Sequence, residues 1–218
     1  MFSLLETLRL ERGRFVRLER HLARLSAGAA RVGYPWSPDA FARGVEAAAT
    51  LADPATLVTS PDGFRVPAGV WRTRVLLAPD GTVTVEYRPF QPEDGRVWRV
   101  ALAAAAVDRH DERLRLKTTE RALYDRARAT RPDVDEVLLW NGEGEITEGT
   151  FTNVVVELDG VRVTPPVACG LLPGVFRGTL VESGVLRERV VTRDDLRRAT
   201  GLWLINSLRE WMPATLVD

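Results

Sequence analysis

A side-chain primary amine is among the groups this chain uses most sparingly. Lys117, in Leu114-Arg115-Leu116-Lys117-Thr118-Thr119-Glu120-Arg121, is the only lysine among 218 residues, and arginine makes up the rest of the 30 Lys+Arg positions. Arginine replaces lysine in ion pairs and on solvated faces, but it stays protonated and cannot act as an amine nucleophile or form an imine. A lone lysine is therefore either a survivor on a solvated face or an amine kept for covalent work. Three other segments carry compatible chemistry. Glu145-Ile146-Thr147-Glu148-Gly149-Thr150-Phe151-Thr152-Asn153 is a small-and-polar strand end with a carboxylate, Glu148. Gly170-Leu171-Leu172-Pro173-Gly174-Val175-Phe176-Arg177 is a turn that delivers a helix start, where unpaired N–H groups and the helix dipole favour phosphate. Ile205-Asn206-Ser207-Leu208 adds a small polar pair. Taken singly, Glu148 reads as well as an exposed carboxylate, and Gly174 as a plain helix opener. Taken together, one amine, one carboxylate and one anion-binding helix start are what a phosphorylated aldehyde on a pyridine ring requires.

These groups need elements to hold them. Phe2 to Leu10 reads as a strand, Arg12-Gly13-Arg14 as a tight turn and Phe15 to Leu18 as the return strand. Leu22, Leu25, Ala29 and Val32 recur at helical spacing across Glu19 to Val32, and Gly33 closes that helix. Ser37-Pro38-Asp39 opens a second helix, Phe41 to Leu51. Asp53 to Gly69 reads as a loop, followed by strands Gly69 to Leu77 and Thr82 to Arg88 about Pro79-Asp80-Gly81. Pro89 to Gly95 is a linker. Beyond it, Val97 to Val107 is apolar enough for a buried strand, and Glu120 to Thr130 has helical spacing. Val134 to Trp140 and Ile146 to Glu148 flank a turn; Asn153 to Leu158 and Val161 to Thr164 flank Asp159-Gly160. Gly174 to Ser183 is a short helix, Val190-Val191 a strand, Thr192 a helix N-cap, and Leu202 to Ile205 the final strand.

The order of these segments resembles the fold-type IV family of pyridoxal-phosphate enzymes, also called class IV aminotransferases. That family includes branched-chain and D-amino-acid aminotransferases and 4-amino-4-deoxychorismate lyase. Glu6-Thr7-Leu8-Arg9 and Arg17-Leu18-Glu19-Arg20-His21-Leu22-Ala23-Arg24-Leu25 resemble its opening strand and phosphate-binding arginine helix, which makes Arg24 the matching arginine. The resemblance makes Lys117 the catalytic Schiff-base lysine, Glu148 the partner of the pyridine nitrogen, and the N–H groups of Val175 and Phe176 phosphate donors. Asn206 and Ser207 match its late polar pair, with Ser207 a phosphate ligand. The implied fold is α/β (α+β) and two-domain, like D-amino-acid aminotransferase. A small domain is expected over 1–90, a large cofactor-binding domain over 91–218, and pyridoxal 5'-phosphate between them. The start departs from the family pattern, because the chain begins almost at the Glu-Thr-x-Arg strand, without the preceding strand and Gly-Asp-Gly turn.

Arg121, four residues after Lys117, resembles the lyase pattern Lys-x-x-x-Arg, and Ala122 stands where branched-chain enzymes place tyrosine. The resemblance thus implies 4-amino-4-deoxychorismate lyase. Amino transfer to a 2-oxo acid is the alternative, and a cofactor-free binding relative a third reading. Substrate carboxylates need cations, for which Arg9, Arg74, Arg109, Arg113 and Arg121 are candidates. His21 reads as a structural histidine or an aid near phosphate, His110 as a non-catalytic residue at most bordering the substrate mouth, Cys169 as a packing residue, and Tyr124, seven residues past Lys117, as a packing residue with the cofactor ring within its reach as the alternative.

Composition narrows the rest. Thirty acidic residues balance 30 basic ones, so no cationic surplus asks for nucleic acid or an anionic membrane. One cysteine excludes a disulfide framework and a cysteine-rich metal site, and two histidines argue against a histidine-rich one. No apolar run approaches the ~20 residues of a membrane span, and the start lacks a charged leader. The expectation is a cytoplasmic homodimer acting on a small amino substrate.

Overall fold

Strand β1, Leu4–Glu11, alternates strictly enough that one face is apolar, apart from Glu6. It pairs antiparallel with the short β2, Arg14–Phe15, and along its full length with β5, Val70–Leu77, which pairs with β6, Val83–Pro89. The sheet order is β2-β1-β5-β6. Leu4, Leu8, Leu10, Val75, Leu77 and Val85 form its buried face with Leu25, Ala29, Phe41 and Val45 from helices α1, Leu18–Val32, and α2, Pro38–Thr50. The expected return strand to Leu18 ends at Phe15, because Arg17 takes a left-handed φ of 60° and Leu18 already begins α1. Ser37 accepts from the Ala40 N–H at 3.2 Å and so caps α2, with Pro38 in the first turn. The expected loop after α2 contains a small hairpin, β3 Leu57–Thr59 with β4 Arg65–Pro67. Three-residue strands are too short to show an alternation.

The structure, a computed structural model, describes residues 2–51, 54–93 and 95–217. Met1, Asp53 and Asp94, which the leader, loop and linker readings include, lie outside the described residues. The chain divides into two compact units, Met1–Pro92 with Lys117–Glu120, and Glu93–Leu116 with Arg121–Asp218.

In the second unit an eight-stranded sheet runs β12-β11-β10-β13-β14-β7-β8-β9. Its strands are β7 Trp98–Leu102, β8 Glu136–Trp140, β9 Ile146–Gly149, β10 Asn153–Leu158, β11 Val161–Thr164, β12 Arg187–Glu188, β13 Gly201–Asn206 and β14 Glu210–Leu216. Strand β7 is parallel to both neighbours, β14 and β8, which accounts for its largely apolar sequence, interrupted only by the exposed Arg99. Helices α3 Ala122–Ala129, α4 Val175–Glu182 and α5 Arg193–Arg198 complete the unit. Thr192 and Asp195 form a capping box at α5.

Two strand expectations are corrected. Val190-Val191 is not a strand; the ladder partner of β11 is Arg187–Glu188. Leu202 to Ile205 is not the last strand, since β14 follows it. Pro213 disguised β14, but it stands where β14 passes from pairing with β13 to pairing with β7, a position that tolerates proline better than a continuous ladder.

The curl of this sheet follows from its connectivity. Strands β9 and β10 lie at the eighth and third places of the order, a separation of roughly 24 Å in a flat sheet. Only residues 150–152 join them, enough for about 15 Å of extended chain. The sheet must bend until the two strand ends meet, and that bend puts Glu148 and Asn153 side by side. Among the described residues no helix is long and apolar enough to cross a membrane.

Candidate active site

In the first unit the residues gather along β1. Because β2 covers only Leu10 and Glu11, the edge of β1 at Leu4 and Leu5 is open, and residues 117–119 fill it. Leu5 N–H donates to the Lys117 carbonyl at 2.8 Å, and Thr119 N–H to the Ser3 carbonyl at 2.9 Å, about a Leu4–Thr118 bridge. Thr118 therefore shares the face of Leu4, and by alternation Lys117 shares that of Leu5. Lys117 is half-buried.

Below β1, Glu6 is the one carboxylate of the apolar face. Its Oε1 accepts from Arg24 Nε at 2.8 Å and its Oε2 from Arg24 Nη2 at 2.7 Å, a bidentate pair. His21 Nδ1 lies 2.6 Å from Glu6 Oε2; an ionised carboxylate has no proton to give, so Nδ1 is the donor. His21 and Arg24 reach one carboxylate because i and i+3 share a helix face. Burial alone would raise the Glu6 carboxyl, but the Arg24 guanidinium and the His21 ring bring it down to about 2. Burial lowers the His21 ring, and the charges of Arg24 and Lys117 act in the same direction, against the pull of Glu6.

Both shifts destabilise the fold in acid. A buried neutral histidine contributes stability above its ordinary 6.5 that is lost as pH falls below it. A depressed Glu6 contributes stability above 4.5 that is lost as pH falls towards 2. Chemical unfolding measured from pH 7 to 2.5 is expected to show stability falling throughout, by a few kcal/mol in all. Glu6→Gln should start less stable and be flatter below pH 4.5, the carboxylate's ordinary value. A variant as steep as the parent there would contradict the assignment.

In the second unit the centre is Glu148, 4 % exposed on β9. Its Oε1 accepts from the Tyr124 hydroxyl at 2.9 Å and its Oε2 from the Leu172 N–H at 3.2 Å. Burial, reinforced by Glu148, pushes the Tyr124 phenol up, so it stays a donor. The ring packs as expected, against the cluster of Leu114, Val137 and Leu139, and the hydroxyl adds a bond to Glu148 that the sequence did not announce. Asn153 Nδ2 donates to the Leu172 carbonyl at 3.0 Å, so Glu148 and Asn153 together hold the turn before α4. Gly174 is required there, because a Cβ would stand 1.8 Å from Asn153 Oδ1. Gly174 is also the N-cap of α4, and no side chain caps that helix start. Val175 and Phe176 open it, and Phe176 packs with Leu180 against Ile205 of β13. Strand β13 then leads to Asn206, whose Oδ1 accepts from Leu208 N–H at 3.0 Å and Arg209 N–H at 2.8 Å, and to the buried Ser207.

A second carboxylate, Glu136, was not anticipated. It is fully buried at the start of β8 and binds the tight link between β9 and β10. Thr150 N–H at 3.0 Å and the Thr150 hydroxyl donate to its Oε1; Phe151 N–H at 3.1 Å and the Thr152 hydroxyl at 3.0 Å donate to its Oε2. Burial pushes this carboxyl up, and those donors pull against it. A Cβ on Gly149 would lie 2.2 Å from Thr152 Oγ1 and 2.8 Å from Glu136 Oε2. Glu136→Gln puts an amide among donors and is expected to cost roughly 3 kcal/mol, read as a lower urea midpoint. A change within 0.5 kcal/mol, the scale of an ordinary surface substitution, would contradict it.

The candidate substrate arginines are differently employed. Arg109 donates to the Ala168 carbonyl at 3.1 Å and pairs with Glu145 at 3.3 Å. Arg121 donates to the Thr150 carbonyl and stacks on the Tyr124 ring. Arg113 pairs with Asp111. Arg74, in the first unit, has its Nε buried without a hydrogen bond. His110 is exposed and Cys169 buried. Among the described residues there is no metal-binding cluster.

The donor set fits a phosphorylated pyridine aldehyde. A buried carboxylate with two fixed donors suits a ring nitrogen, and an uncapped helix start too tight for a Cβ suits phosphate. Residues 3–217 match the family described as Amino-transferase class IV. The chain belongs to that family. This class IV chain is an enzyme of the aminotransferase and lyase kind and has the fold-type IV architecture. It superposes on a solved Mesorhizobium loti structure, described as a putative amino-acid aminotransferase, with a TM-score of 0.88, 40% identity and 100% of both chains covered. It is 28% identical to a Schizosaccharomyces pombe protein named "Putative aminodeoxychorismate lyase", over 94% of this chain and 86% of that one. It is 32% identical to the Escherichia coli branched-chain-amino-acid aminotransferase over 95 residues, 41% of this chain and 31% of that one.

Proposed function

We propose that this class IV enzyme binds pyridoxal 5'-phosphate through Lys117 and converts 4-amino-4-deoxychorismate to 4-aminobenzoate and pyruvate. The observation that carries the cofactor reading is the buried Glu148 carboxylate, fixed by Tyr124 and the Leu172 N–H beside the uncapped start of α4. When bound, the group supplies an aldehyde that condenses with amines and a ring that accepts electrons. Glu148 holds a proton on the ring nitrogen. The N–H groups of Val175 and Phe176, with Ser207 and Arg24, bind the phosphate. Asn206 shapes the turn that presents Ser207. Lys117 takes the proton from the amine-bearing carbon and returns one to the leaving pyruvate fragment. Atoms balance without a second substrate: one C–O bond breaks and the remaining ring becomes aromatic.

The lyase branch rests on Lys117-x-x-x-Arg121, on Ala122, and on the S. pombe relative that covers most of the chain. The same reading describes a cytoplasmic homodimer supplying 4-aminobenzoate for folate synthesis. Amino transfer to a 2-oxo acid is favoured by one observation, the M. loti structure described as a putative amino-acid aminotransferase and matched end to end. One assay separates the two. Formation of 4-aminobenzoate without any keto acid supports the lyase; amine exchange that occurs only with a keto acid overturns it.

A further inference from the structure

Arg121 is the N-cap residue of α3, yet its side chain makes no capping bond. Two other contacts hold it. Nη2 donates to the Thr150 carbonyl, and the guanidinium carbon lies 4.7 Å from the centre of the Tyr124 ring. Residues three apart on a helix share a face, so the start of α3 lays the cation on the phenol one turn further on. Thr150 is itself fixed, since its N–H donates to Glu136 Oε1 at 3.0 Å. The residue is 1 % exposed, so its carbonyl has little water to turn to and the arginine is tied to a firm point. The arrangement ends on the carboxylate of the candidate site, because the Tyr124 hydroxyl donates to Glu148 Oε1 at 2.9 Å. From Glu136 through Thr150, Arg121 and Tyr124 to Glu148, each member touches the next, and all five belong to the second unit.

A cation on the ring face does two things to the phenol. It limits the tilt of the ring, which fixes where the hydroxyl points. It also draws on the electrons of the ring, which makes the O–H a better donor. Burial and the Glu148 charge keep the proton on Tyr124, and the Arg121 charge acts against them. The Leu172 N–H reaches the other Glu148 oxygen at 3.2 Å, so the phenol is the closer of these two supports. We propose that Arg121 is a positioning residue for Glu148, acting through Tyr124, and not a cation for substrate carboxylates. The inference rests on Glu148 being the partner of the ring nitrogen, and it holds for a lyase and for a transferase alike.

The test is a double-variant cycle on the full-length, cofactor-loaded enzyme, read without substrate as the pH midpoint of the cofactor's visible absorption. Arg121→Met and Tyr124→Phe are each expected to move that midpoint by at least about half a unit, in the same direction. The double variant should move it no further than Tyr124→Phe alone, since an arginine that acts through the phenol has nothing left to position. A direct effect of the Arg121 charge would add to that of Tyr124→Phe and overturn the inference, as would an Arg121→Met midpoint equal to the parent's. Arg121→Lys keeps the charge but loses the planar fork and stack, and should behave like Arg121→Met; a parental midpoint there would also overturn it. Should Arg121→Met fail to fold, Arg121→Lys takes its place in the cycle. Arg126→Gln, an exposed residue on α3, should change nothing. In turnover of 4-amino-4-deoxychorismate, Arg121→Met should lower kcat about tenfold and leave KM within about twofold. A raised KM with parental kcat would assign Arg121 to the substrate and overturn the inference. The predicted midpoints in a protein that makes no 4-aminobenzoate overturn only the lyase reading, whereas a parental kcat in Glu148→Gln overturns the ring-nitrogen reading.

Discussion

Lys117→Ala is expected to lose turnover by on the order of 10,000-fold, because in the proposed function one amine both holds the cofactor and moves the proton. Its thermal unfolding should stay near that of the parent, since the Leu5 N–H to Lys117 carbonyl bond belongs to the backbone. Lys117→Arg sharpens the test. It keeps the positive charge beside β1, but a guanidinium neither condenses with an aldehyde nor gives up its proton. The two variants should therefore be equally inactive in a turnover assay. If Lys117→Arg retained more than about a tenth of parental turnover, charge rather than amine chemistry would be what this position supplies, and the reading of Lys117 would fail.

Glu148→Gln is the second large effect, expected at about 100- to 1,000-fold in kcat. The substitution conserves shape, and the Tyr124 hydroxyl keeps an amide oxygen to donate to. What disappears is the negative charge proposed to hold a proton on the ring nitrogen. The cofactor should still bind, because its proposed phosphate contacts lie elsewhere, at the start of α4, Ser207 and Arg24. Steady-state kinetics together with cofactor titration distinguish this from a damaged site. Low kcat with near-parental cofactor affinity is the expected pair; unchanged kcat would show that the carboxylate only braces the Leu172 turn.

Much of this arrangement was readable before any coordinates. Ser37, Gly33, Thr192 and the Pro173-Gly174 turn announce helix ends by local chemistry, and each stands where expected because capping depends on a few adjacent residues. Glu148, Asn153 and Gly174 were candidates only as a set, in a small-and-polar strand end and a helix-opening turn, and through the family resemblance. The hidden parts are those set by distant neighbours. Nothing local marks Glu136 as the acceptor for Thr150, Phe151 and Thr152; its neighbours in sequence are ordinary strand residues. Glu6 looked like any strand glutamate until α1 laid His21 and Arg24 across it. Arg109 and Arg121 looked available for substrate, yet their guanidinium groups serve the Ala168 and Thr150 carbonyls. Charge alone cannot distinguish a free cation from one that ties a loop. Strand β14 was missed for the opposite reason, because a local signal, Pro213, was stronger than the tertiary pairing that overrides it.

The most direct measurement is where the cofactor attaches. Lys117 is the only side-chain primary amine in the sequence, so borohydride reduction of the cofactor-loaded protein followed by peptide mapping leaves only it and the chain's own α-amine to carry a pyridoxyl phosphate group. The account predicts that group on the peptide containing Lys117 and on no other. A protein that takes up no cofactor, or one labelled only at the α-amine, would contradict it.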